Sequence, residues 1–234
     1  DAQELLFIGF IKEGTGIMIP VAHRIGENME LRTFDTFLSD FLTCQKRVKI
    51  AHNIAFETMF AYKRGIVISA PVYDTICAAQ LTLKSNYQFR GLSDSGLKKL
   101  AQDLCGEPLP SFEAVTQGKH FDEMDPSDPE TIRYSCADSD FALRLYHIFN
   151  NWFAHNLPKH RFIAEQLESP AAVYVGLMRC NGVPMDVAAM TAAKENAEQE
   201  IEKLKGQIAF LIGDVAIGSN CSTAAFKNYL YKTL

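Results

Sequence analysis

Several features that would assign this chain to a special class of protein are missing from its sequence. It has no low-complexity tract, a single Trp among 234 residues, and no apolar stretch long enough to span a membrane. No basic segment followed by an apolar one begins the chain, so no secretion signal is evident. Its six Cys residues are scattered and form no Cys-x-x-Cys pair. We interpret them as small buried thiols in a reducing compartment, and we expect a cytoplasmic protein without a membrane partner.

Basic residues are also in the minority. The formal net charge is −5 and the sequence pI is about 5.7. A general nucleic-acid binder usually carries a basic surface, so the charge balance alone argues against that class. It leaves room for an enzyme that handles a nucleic-acid end through metal ions. Such a site needs carboxylates, and bound cations reverse the local charge.

The hydrophobic pattern, with 47% apolar residues, predicts a mixed first part. Short apolar runs indicate strands, and apolar residues at intervals of three and four indicate helices. The predicted strands are Leu5–Phe10, Ile17–Val21, Val48–Ala51 and Pro71–Tyr73, of which the first two form a hairpin. The predicted helices are Phe34–Leu42, Ala55–Arg64, one that Asp74 caps and that runs to about Leu83, Leu92–Leu104, and Ser127 to about Phe153. The segment Ser111–Pro126 has no clear period, and we interpret it as a loop.

The remainder of the chain is predicted to be helical. Helical spacing covers Glu165–Arg179, and one long amphipathic helix covers Val187–Ile212. Its apolar residues follow alternating steps of three and four, like a coiled-coil seam. We therefore predict an α/β domain over residues 1–160 and a helical segment over residues 161–234.

Two short motifs could carry chemistry. Asn53 and Glu57 lie four residues apart at the start of a predicted helix, so both could face one cleft. The alternative is structural: Asn53 would cap the helix and Glu57 would favour its dipole. Tyr134 and Asp138 have the same spacing on a helix with an apolar face. An Asp in that position must be paired, hydrated or bound to a metal ion.

Two further residues could shape a site. His52 precedes Asn53, and Phe112 lies in the irregular segment before the second motif. An exposed aromatic ring could stack on a base, which is worth about 1–3 kcal/mol per base. The alternatives are a hydrogen-bonded structural histidine and a phenylalanine that anchors its loop in the core.

Taken in order, these segments resemble the exonuclease domain of bacterial DNA polymerase I, a family A DNA polymerase. Asn53-x-x-Phe56-Glu57 is similar to the second exonuclease motif, and Tyr134-x-x-x-Asp138 to the third, in its tyrosine form. The hairpin and the loop around Phe112 also match in order. Further along, Arg179–Asp186 resembles the junction into the polymerase thumb, and Asn220–Thr223 resembles the segment near its tip.

The resemblance implies a fold and an activity. The fold would be ribonuclease H-like, a mixed sheet flanked by helices, followed by the start of an α-helical thumb. The activity would be 3′–5′ proofreading in DNA replication and repair, by two-metal hydrolysis with Mg²⁺ or Mn²⁺. The implied partners are the single-stranded 3′ end of DNA and the palm and fingers of the same polymerase.

The resemblance also implies residue roles. Asp138 and Glu57 would bind the metal ions, Glu57 through water, and Tyr134 would orient the attacking water. Asn53 and His52 would lie beside the 3′ nucleotide, with Phe112 stacked near it.

Two departures from the family pattern affect the expected activity. Glu57 stands where Asp is usual, and a misplacement of about 1 Å can reduce a rate about a hundredfold. The first motif, Asp-x-Glu, is absent, and we expect it about eight residues upstream of Asp1, in a chain cut at both ends. The chain alone should therefore bind metal weakly and cleave poorly.

The alternatives are a non-catalytic exonuclease-like domain that positions DNA, and a stand-alone exonuclease of the ribonuclease D type. The thumb-like segment argues against the last.

Overall fold

The computed structural model describes residues 7–12, 15–84, 94–213, 215 and 223–233. Three predicted features lie partly outside these residues: the start of strand Leu5–Phe10, the start of helix Leu92–Leu104, and most of the segment Asn220–Thr223. The chain divides into two compact units, the first ending at Gly182 and the second beginning at Val183. The domain boundary near residue 160 stays a prediction, because a compact unit and a family domain need not end at the same residue.

The strands form two pairs. β1 (Phe7–Lys12) and β2 (Thr15–Pro20) are antiparallel, as the predicted hairpin requires. β3 (Lys49–Ala51) and β4 (Val72–Asp74) are parallel, in the register that places Ala51 opposite Asp74. Within the described ranges, the predicted mixed sheet is therefore observed as two separate two-stranded sheets.

Helices make up most of the rest. Those of the first unit are α1 (Leu31–Leu42), α2 (Ile54–Lys63), α3 (Thr75–Lys84), α4 (Leu97–Leu100), α5 (Phe112–Thr116), α6 (Pro129–Asn156), α7 (Pro158–Ile163) and α8 (Ser169–Asn181). Two π-helical turns, Ala101–Cys105 and Ala164–Glu168, continue α4 and precede α8. The second unit contains α9 (Val187–Ile212), as predicted, and α10 (Ala224–Thr233). No helix in the described part of the chain is both long and apolar enough to cross a membrane.

The parallel pair separates two hydrophobic cores. Successive side chains of a strand point to opposite faces, and Val72 packs with one core while Tyr73 packs with the other. The Val72 core contains residues of β2, α1, α2 and α8, and the Tyr73 core contains residues of α3, α4 and α6. Helices thus cover both faces of the sheet, which is the layered arrangement of an α/β domain.

The segment Ser111–Pro126 differs from the predicted loop. It contains α5 and a 3₁₀ turn, Phe121–Glu123. The Ser111 hydroxyl accepts a hydrogen bond from the Ala114 N–H and so caps α5. A five-residue helix makes little more than one turn, which is too short to produce a visible apolar period.

Candidate metal and nucleotide site

The candidate site begins where the two parallel strands end. His52 and Asn53 follow β3, and Asp74 is the last residue of β4. In open α/β sheets, ligands bind in the crevice beyond the carboxyl ends of the strands. The second motif is therefore carried by the edge of the sheet that favours a ligand site.

Asn53 joins β3 to α2 in a left-handed conformation, with φ of 75°. Its side chain makes no cap hydrogen bond to the helix, so the structural role considered for Asn53 is not observed. The Asp74 carboxylate takes that place: it accepts hydrogen bonds from the N–H groups of Asn53 at 2.8 Å and Ile54 at 2.9 Å. The Asn53 amide is left available to a ligand.

Glu57 lies in the first turn of α2, close to two other carboxylates. Burial, opposed by a backbone hydrogen bond and helped by the charges of Asp74 and Asp138, raises the pKa of Glu57 to about 8. The residue nevertheless retains an exposed surface. Glu57 therefore stands in a crowded cleft that water still reaches, and this water weakens the desolvation.

Asp138 and Tyr134 project from α6 one helical turn apart. Burial raises the pKa of Asp138, and the charge of Lys98 opposes that rise. The pKa of the Tyr134 phenol is also raised, first by burial and then by the charges of Asp138 and Glu113. The charge of Asp138 is also among the causes that raise the pKa of Glu57, so the second motif on α2 lies within electrostatic range of the third on α6.

Tyr134 belongs to a cluster of three aromatic rings. The Phe112 ring centroid lies 6.4 Å from that of Phe121 and 6.4 Å from that of Tyr134, and Phe121 lies 6.1 Å from Tyr134. Phe112 is 41% exposed whereas Phe121 is 7% exposed. Phe112 is thus supported by a buried ring and keeps one face available, as an aromatic platform for a base requires.

The loop after β2 holds Phe121 in place. The Arg24 guanidinium forms ion pairs with Asp122 and Glu123, and the Arg24 N–H donates to the Asp122 carbonyl at 2.8 Å. The His23 ring packs against Phe121 edge to face at 5.8 Å. These contacts join two segments about 100 residues apart in sequence.

His52 is held by protein contacts. Its Nδ1 lies 2.9 Å from the Thr75 hydroxyl, and the Ser95 backbone also hydrogen-bonds to it. Burial lowers the pKa of His52 to about 4 against the opposing effect of the Ser95 bond. His52 is therefore a neutral imidazole at physiological pH and offers no positive charge to a phosphate.

The donor set suits a hard divalent cation. Glu57 and Asp138 supply carboxylate oxygens, the ligands that Mg²⁺ and Mn²⁺ prefer. The negative charges of Asp74 and Asp138 both act on Glu57, and a bound cation would reduce this repulsion. Across the described residues, no group of three or more His, Cys, Asp or Glu side chains is placed to hold a metal ion. Mg²⁺ commonly binds through one or two carboxylates plus water and substrate phosphates, so these residues fit a partial site of that kind.

Sequence reasoning missed two residues of this region. Asp74 was predicted to cap α3, and it does accept a hydrogen bond from the Ile76 N–H at 3.0 Å, but its bonds to the second motif were not anticipated. Phe121 was placed in a structureless loop. The only available signal was its aromatic side chain before two acids, which is too common to be informative.

Comparison with known protein families gives a match over most of the first unit. The model of a 3′–5′ exonuclease family matches residues 2–153 of the 234. All six predicted site residues lie within this match. No curated protein matches the chain.

Proposed function

Because the chain belongs to the 3′–5′ exonuclease family, we propose that it is the proofreading domain of a family A DNA-directed DNA polymerase. In this proposal it removes nucleotides from the single-stranded 3′ end of DNA by phosphodiester hydrolysis. The observation that supports the proposal is that the charge of Asp138, in the third motif, is among the causes that raise the pKa of Glu57, in the second.

Each site residue has a proposed role. Asp138 would hold one divalent ion, and Glu57 would hold a second through water. Mg²⁺ or Mn²⁺ ions, when bound, stabilise charge on the attacking and leaving oxygens. Tyr134 has a raised pKa and so keeps its proton at neutral pH. Its hydroxyl can therefore donate to, and orient, the attacking water.

The contacts to the substrate are proposed from the exposure of each side chain and from its hydrogen-bond partners in the protein. The Asn53 amide makes no cap bond, so it can hydrogen-bond the terminal nucleotide. The exposed face of Phe112 can stack on a base. The imidazole of His52 is engaged by Thr75 and Ser95, which supports a role in shaping the nucleotide pocket through van der Waals contact.

The arrangement of the two sheets is consistent with a further strand that pairs with them. Helix α6 contacts β1, β2 and β3, so both sheets pack on this helix. Within the described residues, β1 pairs with β2 alone and β3 with β4 alone. We propose that a strand encoded upstream, with an Asp-x-Glu motif, pairs with these sheets and completes the metal site.

The helical region from residue 161 is proposed to be the start of the polymerase thumb. Its support is the 26-residue helix α9 with many exposed charged and apolar side chains, which implies a partner surface. The proposed partners are the palm and fingers of the same polymerase. Free Cys residues in the described part of the chain support a reducing compartment, the cytoplasm.

A second candidate is an exonuclease-like domain without catalysis, kept to position DNA. The raised pKa of Glu57 favours it, because a protonated carboxyl binds a cation poorly.

The test that distinguishes the candidate functions is digestion of 5′-labelled single-stranded DNA and RNA by the product of the full reading frame, with Mg²⁺ or Mn²⁺. A ladder that shortens from the 3′ end of DNA supports proofreading. Digestion of RNA alone supports a ribonuclease D type of enzyme, and no digestion supports the second candidate.

A further inference from the structure

The most heavily bonded carboxylate near the site belongs to a residue that none of the motifs contains. Asp74 is 1% exposed and accepts three backbone hydrogen bonds, from Asn53, Ile54 and Ile76. Oδ1 accepts from Asn53 at 2.8 Å and Ile76 at 3.0 Å, and Oδ2 accepts from Ile54 at 2.9 Å. One side chain thus caps the first turns of both α2 and α3.

This arrangement fixes the backbone of the second motif. Asn adopts a left-handed conformation more readily than most residues with a Cβ, and hydrogen bonds to its backbone can hold it there. At Asn53, the surroundings include the Asp74 carboxylate, which binds the N–H of Asn53 and of the next residue. The direction in which α2 leaves β3, and hence the direction of Glu57, depends on these two bonds.

We propose that Asp74 is a positioning residue for the second motif, holding Asn53 and the first turn of α2 in the geometry that the substrate and metal ligands require. The inference rests on the proposed function of the site. We assign Asp74 no contact with substrate or metal, because its carboxylate is bonded to three backbone N–H groups and to the Cys77 thiol. It acts through Asn53 and Glu57.

The backbone of Asp74 provides a matched control. Its N–H donates to the Ser169 hydroxyl at 2.8 Å, and this hydroxyl donates to the Ala164 carbonyl at 2.6 Å. Ser169 is fully buried and contacts the side of Asp74 that faces α8. Ser169→Ala therefore weakens the same buried network without touching the carboxylate bonds to the second motif.

The test compares Asp74→Asn with Ser169→Ala in the full chain, well below both melting midpoints. An Asn side chain can keep one acceptor oxygen, but its amide cannot accept from the Ile54 N–H. We expect D74N to increase hydrogen exchange at the amides of Asn53 and Ile54. We also expect it to weaken the binding of a fluorescent single-stranded oligonucleotide, or slow its digestion, by about 10- to 100-fold, the usual range for residues that orient ligands.

The control separates positioning from stability. S169A should lower Tm at least as far as D74N, yet leave exchange at Asn53 and oligonucleotide binding within about twofold of wild type. If the two variants have equal effects on binding, or if D74N leaves the Asn53 and Ile54 amides protected, the positioning role is wrong. If the wild-type product of the full reading frame neither binds nor digests DNA, the proposed function fails, whereas the exchange comparison still decides whether Asp74 holds the second motif.

Discussion

The charge of Asp138, on α6, raises the pKa of Glu57, on α2. These residues are 81 positions apart in sequence, and each was predicted from a separate motif. Their repulsion has two consequences. The folded state is less stable when both carboxyls are ionised, and a cation bound near them would reduce this repulsion.

Glu57 should make stability fall as pH rises. An unfolded Glu loses its proton near pH 4.5, whereas folded Glu57 keeps it to about pH 8. Between these values the folded state binds more protons, so the free energy of unfolding decreases with rising pH. Glu57→Gln should therefore stabilise the protein most near pH 8 and little near pH 5. Because water screens the exposed side chain, we expect a gain on the order of 1 kcal/mol.

Urea denaturation at several pH values measures this effect. The control is Glu195→Gln, which removes a carboxylate from the exposed surface of α9 instead of from the site. A stability difference between E57Q and wild type that stays constant from pH 5 to pH 8 would contradict the assigned environment of Glu57.

Divalent cations should stabilise the folded chain more at high pH. Mn²⁺ at about ten times its Kd adds about 1.4 kcal/mol to the free energy of unfolding. For a domain of this size this corresponds to a Tm rise of about 3–6 °C. Protons compete with the ion for Glu57, so the rise should be larger at pH 8.5 than at pH 6.5. Thermal melts of wild type and Asp138→Asn measure it, and an equal Tm rise in both proteins would place the ion elsewhere.

Substitutions at the two phenylalanines of the aromatic cluster should have different effects, one on DNA binding and the other on stability. Phe112→Ala should weaken single-stranded DNA binding by about 1–3 kcal/mol, because an exposed ring that stacks on a base is lost. Its effect on stability should be small. Phe121→Ala should instead cost about 3–5 kcal/mol of stability, because a buried ring leaves a cavity. Fluorescence anisotropy and denaturation measure the two effects, and unchanged DNA affinity in F112A would reject the stacking role.

The contact between α2 and α8 should be intolerant of a methyl group. A Cβ on Gly176 would lie 2.6 Å from the Ala55 carbonyl oxygen and 2.6 Å from the Thr58 Cβ. Gly176→Ala should therefore cost about 1–3 kcal/mol through overpacking. Gly206→Ala is the control: nothing lies within 4 Å of its Cβ position, and α9 should gain up to about 1 kcal/mol from the better helix former. A neutral G176A variant would mean that the two helices are not in close contact.

Local signals in the sequence predicted most of the secondary structure. Asp128 and Pro129 mark the start of α6, and the Asp128 carboxylate accepts the Thr131 N–H at 3.0 Å. Likewise, α9 has the predicted bounds because Asp186 caps it and its apolar spacing is regular. Such signals lie within a few residues of the element that they define, so they can be read without a structure.

Long-range contacts could not be predicted in the same way. The bond from the Asn53 N–H to Asp74 joins residues 21 positions apart, and it forms only because β3 and β4 pair in one register. A different register would pair Asp74 with another residue. The sequence identified the carboxylates of the two motifs, but it did not reveal the third carboxylate beside them or the buried ring under Phe112.

The most direct test of the account is Mn²⁺-dependent digestion of single-stranded DNA by the product of the full reading frame, measured for wild type, Asp138→Ala and Glu57→Asp. We expect wild type to remove nucleotides from the 3′ end and D138A to lose this activity. We also expect a faster rate in E57D, by up to about a hundredfold, because the shorter side chain restores the usual carboxylate position. Equal digestion by wild type and D138A, or no digestion by wild type and E57D alike, would contradict the proposed function.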